Sequence, residues 1–587
     1  MARLNKFQLL FLKWRRKQRN NRIFPFILSI VVGLVVGLAA IFIKTLIYYI
    51  EQYAVYFLPR LYYFILPLIG FLLVTLLNRT VFRQTAYFNG FRDIIKAIEQ
   101  HSSFIRFRLT FSKFITTGLT IGFGGSSGLE SAIVTSGSAI GSNIGKFLGL
   151  GYRLRTLLIG CGVAAGISAI YNAPIGGFIF ALEAVLPEFT PTLLIPLLVA
   201  AATGKILFEF IMGDQLRFEA PITEFTYEQI PLVIILGVLA MLMSQYLILV
   251  YSYCYRQLSK VGNSYIRALA GGIVLGTIIY LLPPMFGEGY VSINAILSNE
   301  EDSLFSSLPF QALPLNPYFN LAFFFLLMIF KPISTGICVN SGGEGGYFAP
   351  SIITGGFLGY FFYKVVTLIF PQMAMDANTY VFLGMAGVFA CVMKAPVTAI
   401  FLIAEITQSY QLFVPLMLIC AIAYFLKYYN ENLRASVIQS KESKTLRSER
   451  IILNQIHTHN LIERDLPTTS TETSLRVLIE KFSNSQWNII AVVDENNKLE
   501  GVISINDIRQ KLSDLNTYDS TFAKDIMQPA VVTVGKDEPA AAVMEKFDAH
   551  NVWYLPVVDK GKFEGFIPKT KLITQYRKEL TRTNRFF

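Results

Sequence analysis

Charge is scarce in this chain. Of 587 residues only 15% are Asp, Glu, Lys or Arg, against about 25% in soluble proteins. Acidic residues are absent before Glu51. The five cysteines, Cys161, Cys254, Cys338, Cys391 and Cys420, are scattered through apolar segments without a CxxC spacing. That excludes a zinc ribbon and a disulfide framework. Histidine occurs four times, and the His457/His459 pair lies in a polar stretch and reads as solvated. No nucleophile–base pairing, metal-ligand spacing or phosphate-binding loop is found, so the expectation is that the chain is not an enzyme and needs no cofactor. The N-terminus lacks a short apolar core followed by small residues, so no cleavable signal is expected.

Apolar runs take the place of charge. Hydrophobic residues make up 53% of the chain and mean hydropathy is +0.49. Segments such as FPFILSIVVGLVVGLAAIFI and IPLVIILGVLAMLMSQYLILV recur between residues 24 and 429, and several are long enough to span a bilayer. The chain therefore reads as a multi-pass membrane protein. Eight Lys and Arg between Arg3 and Arg22 precede the first span. The positive-inside rule puts this segment, residues 1–23, in the cytoplasm, as a helix that lays Leu9, Leu10, Leu12 and Trp14 against membrane lipid. Nucleic acid is the competing partner for a net charge of +12, and it is set aside because the basic run abuts a span. The expected membrane is the cell membrane (the inner membrane in a bacterium), with both termini cytoplasmic.

The character changes near Leu433. Residues 434–460 are polar and mixed in charge and read as a linker. Beyond it, helix-period and strand-period segments alternate in the order TSLRVLIEKF, WNIIAVVD, KLEGVIS and INDIRQKL. The same order returns in EPAAAVMEKF, WYLPVVD, KFEGFIP and KTKLITQY. Phe482 to Asp494 and Phe547 to Asp559 are both 12 residues. Two α/β units, 461–515 and 516–587, are expected to pack through their sheets.

The membrane part, 24–433, repeats as well. NAPIGGFIFALE (172–183) and KAPVTAIFLIAE (394–405) share Ala-Pro and a final Glu at an offset of 222, and GLESA (128–132) corresponds to GYFAP (346–350) at 218. Such repeats mark transporters, commonly with inverted topology and a substrate site near the midplane. Three Gly-rich loops, FNGFRD (88–93), GGSSGLESA (124–132) and GGEGGYFAP (342–350), stand at the expected helix starts. Gly permits close backbone approach, and unpaired N–H groups at a helix start attract an anion. A site built so can also release its ion, which conduction requires. The competing use of Gly is tight helix packing, and GSAIGSNIG (137–145) is read that way. Glu130 is the exception among small residues, since a charge near the bilayer centre costs about 2.5–3.5 kcal/mol.

These motifs resemble the CLC family of chloride channels and chloride/proton exchangers over about residues 25–440, with tandem CBS domains following. The resemblance implies an all-α polytopic membrane domain with an inverted internal repeat, a cytoplasmic α/β CBS pair, and a homodimer with one pore per subunit. It implies Glu130 as the gating glutamate, although this chain reads G-L-E-S-A. The implied anion-binding positions are Asn89, Gly90, Gly128, Leu129, Gly346, Tyr347, Phe348, Ala349 and Ser436. Asn89 stands where the family usually has a serine, and Ser436 where it has a pore tyrosine. Ala184 falls at the inner proton-carrying glutamate of the exchangers, and a methyl group carries no proton; Glu183 beside it is read as structural. In the CBS pair Ser504 and Asp507 fall where ATP, ADP or AMP is often held, while the second copy has Pro568 and Lys571. A dimer-stabilising module without ligand is the alternative there.

Chloride is the expected substrate, and the losses at 184 and 436 favour a passive channel gated by Glu130. A chloride/proton antiporter with another inner route is the alternative. A fluoride exporter ranks lower, because Tyr347 stands where those relatives carry a glutamate and Glu344 is three residues away. A CBS-regulated magnesium carrier would need oxygen-rich cation sites, and the core has few acids.

Overall fold

The computed structural model describes residues 23–57, 63–82, 91–100, 102–186, 191–213, 218, 225–306, 308, 317–371, 376–435, 453, 456, 458–485, 487–509, 511, 518–550 and 552–584. The basic segment 1–22, most of the linker, and the positions Asn89, Gly90, Ser436 and His457 lie outside the described residues. Contacts divide the chain into two compact units, 1–441 and 442–587.

The first unit is helical. In chain order its helices are α1 Ile23–Phe57, α2 Leu66–Thr80, α3 Phe91–Gln100, α4 Leu109–Gly122, α5 Glu130–Phe147, α6 Tyr152–Tyr171, α7 Pro174–Phe180 and α8 Pro191–Met212. They continue as α9 Ile230–Leu258, α10 Ser264–Leu281, α11 Tyr290–Leu297, α12 Glu301–Ser306, α13 Pro317–Ser341, α14 Phe348–Ile369, α15 Ala377–Met393, α16 Pro396–Ile406 and α17 Phe413–Ala435. Eight helical stretches among the described residues are long and apolar enough to cross a membrane. α1, with 35 residues, is about 52 Å long, well beyond a hydrocarbon core of about 30 Å. Several helices at the centre, such as α15 and α16, are shorter, with 17 and 11 residues. α15 is buried on nearly every face by other helices, and α16 buries six of its residues.

Small residues set the helix spacing. α5 and α6 approach through Gly137 and Gly162, where a Cβ on Gly137 would lie 2.5 Å from the Gly162 carbonyl oxygen. Gly141 and Gly145, on the same face of α5, lie against Leu158 and Arg155 of α6. α14 and α15 meet in the same manner through Gly355, Gly359 and Gly384. The stretch 137–145 is thus a packing surface.

The repeat is visible in the backbone. α6 ends on Asn172 with φ 54, and α15 ends on Lys394 with φ 57, both left-handed. Asn adopts that conformation readily, whereas for Lys it costs roughly 1–2 kcal/mol; the second half keeps the turn regardless. Pro174 and Pro396 then open α7 and α16, where a missing N–H is harmless. The closing glutamates cross between the halves. Val397 N–H, Thr398 N–H and Thr398 Oγ1 donate to Glu183 at 3.3, 2.9 and 2.8 Å. Ile175 and Gly176 N–H donate to Glu405 at 3.0 and 2.7 Å. Each carboxylate satisfies the open N–H groups at the start of the other half's short helix. This is possible only if α7 and α16 run antiparallel, so the repeat is inverted here.

The second unit holds a three-stranded sheet, β1 Thr468–Thr469, β2 Ile489–Val493 and β3 Leu499–Ser504, and a two-stranded sheet, β4 Tyr554–Asp559 and β5 Lys562–Pro568. Its helices are α18 Leu475–Ser483, α19 Ile505–Arg509, α20 Ala523–Ile526, α21 Ala540–His550 and α22 Lys569–Asn584. β2 pairs antiparallel with β3, and β4 with β5. Phe482 and Phe547 are buried in separate cores. A third core joins Ile489 and Ala491 of β2 to Phe563 and Phe566 of β5, so the copies pack through their sheets.

Candidate functional site

Two of the three Gly-rich loops, 124–132 and 342–350, pair with each other. Gly128 N–H donates to Gly346 O at 2.9 Å, and Gly346 N–H returns a bond to Gly128 O at 3.1 Å. This antiparallel bridge brings the starts of α5 and α14 together. Gly345, at φ 144, takes a conformation closed to side-chain-bearing residues. Ser127 Oγ donates to the Glu344 carbonyl at 3.2 Å, and Glu344 N–H donates to Thr120 Oγ1 at 2.9 Å, so both loops are anchored to α4.

Glu130, the first residue of α5, is 1% exposed. Its carboxylate reaches across to α14, where Ala349 N–H donates to Oε2 at 3.3 Å. Gly128 leaves the room for it: a Cβ there would collide with Oε2. The other oxygen, Oε1, accepts from the hydroxyl of Tyr171, the last residue of α6. Tyr171 Oη lies 2.7 Å from the hydroxyl of Tyr290, the first residue of α11. Phe348 walls the site, its ring centroid 5.6 Å from Tyr171, 5.4 Å from Phe180 and 4.6 Å from Phe389. The carboxylate therefore sits at two helix starts, held by backbone N–H groups and a phenolic donor, in an aromatic surround. Among the described residues, this arrangement accepts a negative charge without a cation in contact with it.

A second carboxylate stands close by. Leu129 N–H donates to Glu288 Oε1 at 3.1 Å. Lys331, fully buried in α13, donates to the Gly287 carbonyl at 3.0 Å and acts electrostatically on Glu288, as Lys44 of α1 does. Glu344 is engaged separately, accepting from Lys113 Nζ at 2.6 Å and Asn78 Nδ2 at 3.1 Å.

Among the positions named from sequence, Gly128, Leu129, Glu130, Gly346, Tyr347, Phe348 and Ala349 come together at the paired loops, with the carboxylate on the Ala349 amide. Ala184 lies half-buried on the π-type turn Ala181–Val185 that extends α7, beside the capping residue Glu183. In the second unit Ser504 N–H and Oγ donate to Asp507 Oδ2 at 2.7 and 2.6 Å, so that carboxylate caps its own short helix α19. Sequence reasoning missed Tyr171, Tyr290 and Glu288. Tyr171 directly precedes the NAP motif, but its repeat counterpart is Met393, so repeat matching passes over it.

The voltage gated chloride channel family matches residues 70–428. The chain belongs to this family. CBS domains match residues 459–514 and 523–578, which accounts for the second unit. Chloride channel protein CLC-f of Arabidopsis thaliana is 23% identical over 552 residues, covering 81% of this chain and 69% of that protein. The H(+)/Cl(-) exchange transporter ClcA of Klebsiella pneumoniae (strain 342) is 27% identical over 421 residues, covering 67% of this chain and 83% of its own length. Among solved structures, a CLC-type fluoride/proton antiporter superposes with TM-score 0.58 at 23% identity, covering 69% of this chain and 95% of that one. A eukaryotic CLC transporter covers 93% of this chain and 98% of its own, with TM-score 0.56 and 16% identity. At these identities the superpositions establish the fold. The chain is thus a CLC-type integral membrane anion transporter with a CBS pair.

Proposed function

We propose that this CLC protein conducts chloride passively along a path that the Glu130 carboxylate occupies and vacates. One observation carries the reading: a buried carboxylate at the start of α5 rests on the Ala349 amide at the start of α14, with no cation in contact among the described residues. Helix-start donors of this kind serve a chloride ion as they serve a carboxylate. Deprotonated, Glu130 fills the seat; protonated or displaced, it leaves the seat to chloride. Ala184 supplies no inner proton acceptor, and Glu183 beside it is committed to the α16 start. Both features support passive conduction over coupled exchange.

Coupled exchange is the second reading. Its support is that the Klebsiella relative is named as a H(+)/Cl(-) exchanger, and that the Tyr171 hydroxyl of α6 reaches Glu130 and is itself met by the Tyr290 hydroxyl of α11. The protein acts as a homodimer in the cell membrane, both termini cytoplasmic, one pathway per subunit. Gly128, Leu129, Gly346, Tyr347, Phe348 and Ala349 line the described part of the path, and Asn89, Gly90 and Ser436, which lie outside the described residues, stay assigned to it by the family resemblance alone. The CBS pair binds an adenine nucleotide near Ser504, where Asp507, fixed as the cap of α19, presents its carboxylate. The test is chloride efflux from reconstituted vesicles. Wild-type efflux rises as pH falls, and Glu130→Gln abolishes that response; an unchanged response in the variant removes Glu130 from the mechanism.

A further inference from the structure

Resting on the anion reading above, we propose that the Tyr171 hydroxyl is a side-chain ligand of the chloride that replaces the Glu130 carboxylate, with Tyr290 as the positioning residue that holds it as a donor. The direction of the hydrogen bonds carries this. An ionised carboxylate only accepts, so the hydrogen between Tyr171 and Glu130 comes from Tyr171. A phenol has one hydrogen. The contact of 2.7 Å between the two phenols is therefore donated by Tyr290. The result is a directed chain, Tyr290 to Tyr171 to the carboxylate, in which each bond polarises the next.

Both rings are fixed. Tyr171 is 1% exposed and lies against Phe348, while Tyr290 packs edge-on to Tyr171 at 6.4 Å and beside Phe218 at 6.3 Å. When Glu130 moves off, the Tyr171 hydrogen cannot follow it far. A buried hydroxyl without an acceptor is unfavourable, and a small anion in the vacated seat restores the acceptor. Chloride, a compact hydrogen-bond acceptor, gains more from such a donor than thiocyanate, whose charge is diffuse.

Chloride and thiocyanate are titrated calorimetrically into purified full-length protein carrying Glu130→Ala, alone or with Tyr171→Phe or Tyr290→Phe. Tyr171→Phe is expected to weaken chloride about tenfold, equivalent to about 1.4 kcal/mol, and thiocyanate by less than about threefold. Tyr290→Phe should weaken chloride about threefold and leave thiocyanate unchanged. A packing defect would lower both anions alike, so an equal loss overturns the assignment. So does chloride affinity within about twofold of the parent. If Tyr171→Phe does not yield folded protein, the chloride-to-thiocyanate ratio in Tyr290→Phe decides by the same criterion. Failure of the Glu130→Ala parent to bind either anion overturns the anion site itself, and Tyr171 as its ligand.

Discussion

Gly128→Ala perturbs the gate without altering its carboxylate. Gly128 has no positive φ, so the backbone accepts Ala. The added Cβ would collide with Glu130 Oε2 and lie 3.0 Å from the Ala349 nitrogen and 3.2 Å from its Cβ. Ala349 is fixed in α14 and bears on the paired loops, so the carboxylate has to give way. Relieving the collision takes a shift of about 1 Å. The Ala349 N–H contact begins at 3.3 Å, and beyond about 3.5 Å it no longer counts as a hydrogen bond. A bond to a charged group is worth about 1.5–3 kcal/mol, which is a factor of roughly 10 to 150 in occupancy of the seat. Chloride efflux from vesicles, followed with a chloride electrode at pH 7.5 and 4.5, should therefore be raised at the higher pH and nearly pH-independent. Efflux that keeps wild-type magnitude and wild-type pH dependence would refute the steric argument, and with it the view that the carboxylate must hold this seat to block conduction.

Other outcomes follow from neighbouring geometry. Glu405→Ala leaves the Ile175 and Gly176 amides unpaired, at about 1–3 kcal/mol each; thermal unfolding in detergent should shift down, and an unchanged midpoint would contradict the capping role. Gly141→Val forces α5 off the Leu158 carbonyl of α6, and overpacking of this kind costs about 1–3 kcal/mol, read as lower yield and lower thermal stability. In the second unit, isothermal titration of the full-length protein with ATP should give heat that Ser504→Ala diminishes; no heat at millimolar nucleotide would favour a purely structural CBS pair. Asp519 is held below its ordinary pKa by hydrogen bonding and attraction from Arg476. That contribution is present above the unfolded value of about 3.9 and is lost as pH falls through the folded one. Arg476→Met should therefore cost stability near neutral pH and not at pH 2; a loss of equal size at both would contradict it.

Much of the fold is legible in the sequence because membrane burial writes itself as apolar runs, and because the repeat preserves Ala-Pro and its closing Glu at one offset. The loops 124–132 and 342–350 are also readable, since Gly clusters that recur before a helix start in both halves set them apart from a packing stripe such as 137–145. Glu183 reads as structural, and its hydrogen bonds to the start of α16 supply the reason. The residues that complete the site were not legible. Tyr171 and Tyr290 lie 119 positions apart, and neither belongs to a repeated motif. A tyrosine in an apolar helix looks the same whether its hydroxyl meets a carboxylate or lipid headgroups. Glu288 was hidden for a similar reason: its importance comes from the Leu129 amide, a contact made by chain crossing and not by spacing.

The claim that conduction is passive is tested most directly by proton movement. Vesicles containing the protein are loaded with high chloride and diluted into low chloride, while external pH and chloride are recorded together. If conduction is passive, the chloride gradient, with potassium and valinomycin supplying charge balance, runs down without driving protons against their own gradient, and an added protonophore leaves the chloride rate unchanged. Steady proton pumping in a fixed ratio to chloride, abolished by Glu130→Gln, would contradict it and establish coupled exchange.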